Sequence, residues 1–190
     1  MLEELNKIKE LNLIKDNKIF YSAFFSKEHL TKLFNELKNN ESLSFNQLID
    51  ITAIDHPSKE KRFELVYILL SMKQNKRVIL KTHLEENDNI DSLTEIFQAS
   101  NWYERECYDL FGIKFNNHPD LRRIMTDYNF EGFPLRKDFP LTGHTEVRYD
   151  DVEKKVVYEP VKLTQEYRDF DYTSPWEGMT KGIDDQSEQE

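Results

Sequence analysis

The amino-acid sequence predicts an α+β fold in which helices pack on a mixed or antiparallel sheet, followed by a long extended C-terminal arm. Two strand-like runs joined by a short polar turn indicate antiparallel pairing, and strands do not alternate regularly with helices. All five glycines lie at or after Gly112, and Pro57 is the only proline before Pro119. Because these residues interrupt regular structure, we expect residues 1–127 to form a globular domain and residues 128–190 an extended segment.

The first predicted elements are strands around one amphipathic helix. The run KIFYSAFF predicts a strand, and Ser26 after it is the expected N-cap of the helix. The apolar residues of that helix recur at helical spacing: Leu30, Leu33, Phe34 and Leu37. The runs LSFNQLIDITAID, RFELVYILLSM and RVILKTHL predict further strands, the last two joined by a turn at KQNK.

A second helix is predicted to begin at Ile90 and to end at Gly112. Its apolar face comprises Leu93, Ile96, Phe97, Tyr103, Cys107, Leu110 and Phe111. On the other face Glu104 and Tyr108, and Arg105 and Asp109, are four residues apart and can pair along the surface. Since free cysteine usually packs as a small apolar residue, we expect Cys107 to be buried rather than nucleophilic.

The acids of this helix are the first candidates for chemistry. Glu104, Glu106 and Asp109 could act in acid–base catalysis, because carboxyl groups near aromatic surface can have raised pKa values. We favour the simpler interpretation, a solvated helix face with ion pairs along the helix. The five histidines lack the spacing of metal ligands, and no glycine precedes residue 112 to form a phosphate-binding loop.

Composition limits the classes of partner and cofactor. The net charge of −10 disfavours nucleic acid as a partner, because phosphate contacts need clustered Lys and Arg. A single cysteine cannot form an internal disulfide or hold an iron–sulfur cluster by itself. No run approaches the roughly 20 apolar residues of a membrane span, and the N-terminal sequence lacks the apolar middle of a signal peptide. We therefore expect a membrane to be reached only through other proteins.

The C-terminal third holds 10 of the chain's 24 aromatic residues, too many for a solvated acidic tail. It has no sustained period, apart from a possible hairpin from EVRYDD to KKVVYEPV. In its run RKDFPLTG we favour an extended strand that contacts another surface over an ordinary loop. We expect the whole segment to be buried on a partner.

The run ERECYDLFGIKFNNHPDLRRIM, residues 104–125, resembles the signature of the thirty-kilodalton subunit family of respiratory complex I, the proton-pumping NADH:quinone oxidoreductase. The similarity continues through TDYNFEGFPLRKDFPLTGHTEVRYDD and VVYEPVKLTQEYRDFDYTSPWEG, so it covers about residues 90–180. The residues that we expect to be structural or interface residues of this family are Glu104, Arg105, Glu106, Asp109, His118, Arg122, Arg136, Lys137, Asp138, Phe139 and Trp176.

The resemblance implies a non-catalytic accessory and assembly subunit of the hydrophilic arm, which supports electron transfer from NADH to quinone. It implies that flavin and iron–sulfur clusters lie on partner subunits, and that the C-terminal segment wraps around the hydrogenase-like large subunit of the complex. It also implies a peripheral position on the cytoplasmic side of a bacterial inner membrane, or on the matrix side of the mitochondrial inner membrane.

Two other functions stay open from the sequence. Membrane-bound energy-converting hydrogenases use homologous subunits, although the tail ending in DYTSPWEG favours the respiratory complex. A free-standing acid–base enzyme using Glu104, Glu106 or His118 would have to be active as a monomer. In such a monomer the arm would expose many aromatic residues to water.

Overall fold

The structure is a computed structural model that describes residues 2–17 and 19–165. The chain divides into two compact units, Met1–Gly143 and His144–Glu190. The predicted α+β class is confirmed by the helices and the mixed sheet of the first unit. The extended arm stays a prediction, because much of it, including Trp176, lies outside the described residues.

In the described residues of the first unit the helices are α1 (Leu2–Leu5), α2 (Leu30–Asn39) and α3 (Ser100–Phe111), with a 3-10 turn at Lys27–His29 before α2. The strands of this unit are β1 (Leu11–Asp16), β2 (Phe20–Phe25), β3 (Gln47–Asp55), β4 (Phe63–Ser71), β5 (Lys76–Leu84), β6 (Asn89–Asp91) and β7 (Lys114–Asn116). In the second unit β8 (Thr145–Asp150) and β9 (Lys155–Pro160) form a hairpin.

The main sheet has the strand order β1-β2-β5-β4-β3. Strands β2 and β5 pair in parallel, and the other neighbours pair antiparallel. Each predicted strand run of the first half contains one of its strands, and the predicted turn at KQNK joins β4 to β5. The apolar sequence of β4 matches its position inside the sheet, where strands have neighbours on both edges and read as continuous hydrophobic runs.

Helix α2 packs on the sheet through the predicted apolar face, since Leu30, Leu33, Phe34 and Leu37 are all buried. The Phe34 ring meets the Tyr67 ring of β4 edge-on, with 5.0 Å between centroids. The prediction that Ser26 caps this helix is wrong. A 3-10 turn intervenes between Ser26 and α2, and the serine side chain makes no capping bond.

Helix α3 begins ten residues later than predicted. Ile90 belongs to β6, which pairs in parallel with β7 opposite Phe115. This strand pairing, between segments distant in sequence, overrides the local helical spacing of the apolar residues. The predicted end is confirmed, because Gly112 follows the last helical residue with a φ of 81° and its N–H bonds back to the Tyr108 carbonyl.

The run RKDFPLTG forms turns, so the prediction of an extended strand is wrong. Arg136 N–H bonds to the Phe133 carbonyl and Phe139 N–H to the Arg136 carbonyl, each over 3.1 Å. These turns pack within the first unit, which is why the division falls after Gly143. In the described ranges no helix combines the length and apolar character needed to cross a bilayer.

Candidate functional site

Helix α3 carries most of the predicted site residues and packs on β3. The Cys107 thiol donates a hydrogen bond to the Ile51 carbonyl, with 3.3 Å between Sγ and O. Burial raises the pKa of Cys107 well above its usual range, so the thiol stays protonated and unreactive. Phe111 is buried as predicted, whereas Tyr103 and Leu110 are only partly buried against the core.

Glu104 is fully buried beside the chain that follows β6. Its Oε1 accepts a hydrogen bond from Leu93 N–H over 2.7 Å. Burial raises the pKa of Glu104 to about 7, and hydrogen bonding from Ser92, Leu93 and Ser100 offsets only part of that rise. The prediction of a solvated carboxylate is therefore wrong at this position.

His118 begins the stretch that covers the other flank of α3, residues 118–139, which we call the bracing segment. Its Nε2 lies 3.0 Å from the Asn101 carbonyl, and its Nδ1 accepts a hydrogen bond from Asp120 N–H. The predicted turn at Pro119 is confirmed. Glu104 Oε2 lies 3.9 Å from His118 Nε2, and neither side chain has any exposed surface. A dissolved substrate has no path to this pair.

Arg105 holds the next part of the bracing segment by its main chain. Its Nε donates to the Arg122 carbonyl and its Nη2 to the Arg123 carbonyl, each over 3.1 Å. The predicted pairing with Asp109 along the helix is replaced by these bonds, because the oxygens of Asp109 are occupied by other donors. Arg105 is thus a scaffold residue, held mainly by carbonyl groups rather than by an ion pair.

Asp109 is the anchor of the bracing segment. Its Oδ2 accepts hydrogen bonds from the N–H groups of Ile124, Met125 and Thr126, over 2.9, 2.6 and 2.9 Å. Its Oδ1 accepts from Thr126 Oγ1 over 2.5 Å and from Arg123 Nη1 over 2.7 Å. Burial disfavours the charge, but the bonds from Thr126 and Arg123 prevail and lower the pKa of Asp109 to about 2. The prediction of a solvated acid is wrong here too.

Arg123 was missed by sequence reasoning, although it lies within the family signature. Its side chain is largely buried, and its Nη2 also donates to the Gly132 carbonyl over 3.0 Å. Arg122, which the sequence analysis selected, is exposed and pairs with Asp120 over 2.8 Å at the surface. Two arginines in tandem give no local signal of which one turns inward.

Arg136 fixes the far end of the bracing segment to the end of α3. Its Nε donates to the Phe111 carbonyl over 2.6 Å, and its Nη1 to Glu86 Oε1 over 2.8 Å. The guanidinium lies over the rings of Phe133 and Phe63, at 4.5 and 5.1 Å from their centroids. Such cation–π contacts favour arginine over lysine at a stacked site.

Gly112 makes this close approach possible. A side chain at this position would place its Cβ 2.6 Å from Arg136 Nη2 and 2.7 Å from the Phe133 ring, and the φ of 81° already disfavours any other residue. Beside it, Leu135 N–H donates to the Leu110 carbonyl over 3.1 Å. A glycine is therefore required here both for the helix end and for the contact.

Lys137 and Asp138 attach the bracing segment to the end of β3. Lys137 N–H donates to Asp55 Oδ2 over 2.7 Å, and Asp138 pairs with Arg62 over 2.9 Å. Arg62 also bonds to Asp55 through Nε over 2.7 Å, and this bond lowers the pKa of Asp55. Asp55 and Arg62 were not selected from the sequence, because no spacing links them to a segment some 80 residues away.

The remaining predicted residues are less central. Glu106 is half-buried on α3, and the half-buried Phe139 ring lies 5.7 Å from the Phe130 ring. Trp176 lies outside the described residues. Within the described part of the chain no group of three or more His, Cys, Asp or Glu side chains is arranged to hold a metal ion.

The bracing segment therefore follows α3 from its first turn to its last. His118 meets Asn101, Asp109 holds the middle of the segment, and Arg136 reaches Phe111. Its charged side chains are used to fasten chain to chain. The fold and this site define a class of protein, an α+β scaffold domain whose principal helix is braced by the chain that follows it.

Comparison with known proteins places the chain within one family. A profile of the family described as respiratory-chain NADH dehydrogenase, 30 Kd subunit, matches residues 24–145. The chain is 54% identical over 157 residues to a subunit of the NADH-quinone oxidoreductase of Hyphomonas neptunium, covering 83% of this chain and 78% of that one. It is 58% identical over 142 residues to the subunit of the same name from Ruegeria pomeroyi, covering 75% and 71%. The chain belongs to this 30 Kd subunit family.

A solved structure shows the same fold at a greater distance. A chain of the membrane-bound sulfane sulfur reductase, an archaeal respiratory membrane complex, matches with a TM-score of 0.64 and 24% identity. The match covers 74% of this chain and 83% of the archaeal one. At this identity the likeness extends to the fold alone.

Proposed function

We propose that this chain is a non-catalytic accessory and assembly subunit of the hydrophilic arm of an NADH:quinone oxidoreductase. It supports electron transfer from NADH to quinone, coupled to proton translocation, through the assembled complex. Family membership supports the complex, and the Asp109 anchor supports the structural role. That carboxylate is buried with five donors bonded to it, so it is committed to holding the bracing segment.

The other polar groups of α3 support a structural role in the same way. Arg105 is bonded to two carbonyl groups, and Glu104 and His118 are closed to solvent. A general acid or base must come within hydrogen-bond reach of its substrate, which these groups cannot do from their buried positions. We therefore propose that the chain carries no catalytic residue and no cofactor, and that flavin and iron–sulfur clusters lie on partner subunits.

The hairpin of the second unit has an apolar face suited to docking. Val147 pairs with Tyr158 and Tyr149 with Val156 across β8 and β9, so all four lie on one face. Their exposed fractions are 57, 61, 57 and 53%. The opposite face is polar, and Arg148 of β8 pairs across the strands with Glu159 of β9 over 2.7 Å.

An isolated two-stranded hairpin is marginally stable in water, and a partner that covers its apolar face would stabilise it. We propose that this partner is the hydrogenase-like large subunit of the complex, with neighbouring iron–sulfur subunits in contact with the first unit. The resemblance of residues 90–180 to the family supports this choice. The complex would hold the chain at the membrane periphery, on the cytoplasmic side of a bacterial inner membrane or on the matrix side in mitochondria.

Purification of the tagged full chain from native membranes in mild detergent tests the proposal. The wild-type chain should recover NADH:quinone reductase activity and iron–sulfur signals. Tyr149→Asp should lower the yield of complex several-fold, because it places a charge in the apolar face, while the rate per recovered complex stays unchanged. Val152→Asp is the matched control, since Val152 is 92% exposed at the hairpin turn; its yield should equal that of the wild type.

Three results would contradict the proposal. A wild-type chain recovered alone would remove the chain from the complex. Equal losses in Tyr149→Asp and Val152→Asp would mean that the apolar face is not the docking surface. Full recovery of complex with lost quinone reduction in Tyr149→Asp would assign the chain a direct part in the reaction.

A further inference from the structure

A closed polar pocket lies between α3, β4 and the start of the bracing segment, and two of its oxygen atoms lack partners. Glu104 Oε1 is bonded to Leu93 N–H, but Glu104 Oε2 and the Tyr67 hydroxyl are buried without a hydrogen-bond partner among the described residues. The Ser100 hydroxyl nearby donates instead to the Phe97 carbonyl over 2.7 Å. Buried polar atoms of this kind are rare in native proteins and call for an explanation.

The titratable groups that face Glu104 come from three elements. They are Tyr67 on β4, Cys107 on α3 and His118 on the bracing segment. Burial raises the pKa of both Tyr67 and Cys107 well above their usual ranges, so both keep their protons and stay neutral. An ionised Glu104 would therefore lie among neutral groups, which disfavours its charge.

The hydrogen bonds of His118 define its protonation. Nδ1 accepts from Asp120 N–H over 3.0 Å, so this nitrogen carries no proton. Nε2 then carries the proton and donates it to the Asn101 carbonyl over 3.0 Å. The imidazole is neutral, and its single N–H has a second acceptor, Glu104 Oε2, at 3.9 Å. This distance is too long for a hydrogen bond but short enough to be closed by a small rotation of the ring.

We propose that Glu104 and His118 form a proton-dependent latch at the start of the bracing segment. While Glu104 is neutral, the Nε2–H of His118 donates to the Asn101 carbonyl, as in the structure. When Glu104 releases its proton to solvent, the carboxylate attracts the same N–H to Oε2, and the Asn101 carbonyl loses this donor. Because His118 is the first residue of the bracing segment, proton release at Glu104 changes how the segment is attached to the first turn of α3.

Nuclear magnetic resonance of the full chain with ¹⁵N-labelled histidine tests the latch between about pH 5 and about pH 9. The Nε2–H signal of His118, assigned with the variant His118→Gln, should shift in one transition. The midpoint is expected near pH 7, the pKa of the buried Glu104 carboxyl. The Nδ1 signal should stay that of an unprotonated nitrogen throughout. Glu104→Gln is the matched variant, since it keeps size and an acceptor but cannot ionise, and it should abolish the shift.

Other outcomes overturn the latch. A shift that persists in Glu104→Gln would assign it to another group, and protonation at Nδ1 in the same range would mean that His118 itself titrates. An Nε2–H signal that stays constant would mean that the imidazole does not change acceptor. If Glu104→Gln fails to fold, ¹³C-carboxyl-labelled glutamate in the wild-type chain gives the Glu104 transition directly; a midpoint different from that of His118 would separate the two events.

Discussion

Replacing Asp109 by asparagine tests the central claim about the bracing segment, because the side chain keeps its shape and loses its charge. The amide would place an NH₂ group where an oxygen now accepts, either from three main-chain N–H groups or from Thr126 and Arg123. At least two donors would face another donor. Arg123, whose side chain is only 15% exposed, would also lose its carboxylate partner.

The size of the effect follows from two independent estimates. The pKa of Asp109 is about 2 against an ordinary 3.8, which corresponds to about 2 kcal/mol of stabilisation of the ionised form. Removing one partner of a buried ion pair typically costs roughly 3–5 kcal/mol, because the other charge is left uncompensated. We therefore expect Asp109→Asn to lower the free energy of unfolding by roughly 3–5 kcal/mol at neutral pH.

Urea unfolding of the full chain measures this difference, with an unchanged slope required for the comparison. Asp120→Asn is the control, since Asp120 is half exposed and its pairing with Arg122 should be worth at most about 1 kcal/mol. The difference between wild type and Asp109→Asn should be complete above pH 3.8 and shrink as pH falls through about 2, where Asp109 becomes protonated. Equal losses in the two variants would refute the anchor.

Two further predictions concern the pH response and the end of α3. Glu104 has a folded pKa of about 7 against an ordinary 4.5, so its stabilising effect is complete below pH 4.5 and is lost as pH rises through 7. Unfolding free energy of the wild type should therefore fall by about 1.4 kcal/mol per pH unit across that range relative to Glu104→Gln; parallel curves would contradict the burial of a neutral acid. Gly112→Ala should cost roughly 1–3 kcal/mol in the same urea assay, because its Cβ would collide with Arg136 and Phe133 at a positive φ; a loss under about 0.5 kcal/mol would mean that the bracing segment yields easily.

The elements that the sequence predicts well are those whose signal is local. Apolar spacing identifies α2, runs of β-branched and aromatic residues identify β2 to β5, and the hairpin of β8 and β9 is confirmed. Gly112 is also predictable, because a left-handed residue at a helix end favours glycine wherever the helix packs. Each of these depends on residues within a few positions of one another.

The predictions that are wrong share a different cause. Ile90 is placed in a helix by spacing, yet it pairs with a strand some 25 residues further along the chain. Glu104 and Asp109 have the helical positions of surface residues, and periodicity cannot show that a later segment covers them. The run RKDFPLTG has the composition of an interface strand, but Arg136 finds its aromatic partners within the first unit.

By itself the sequence determined the α+β class, the principal strands and helices, and membership of the 30 Kd subunit family, because a long motif and local periodicity are properties of neighbouring residues. Only the tertiary structure decided what the charged residues of that motif do. Whether a carboxylate is solvated, neutral or anchored depends on which distant groups surround it, and those groups are brought together by folding. Asp109 and Glu104 lie five residues apart on one helix, and folding lowers the pKa of the first to about 2 and raises that of the second to about 7.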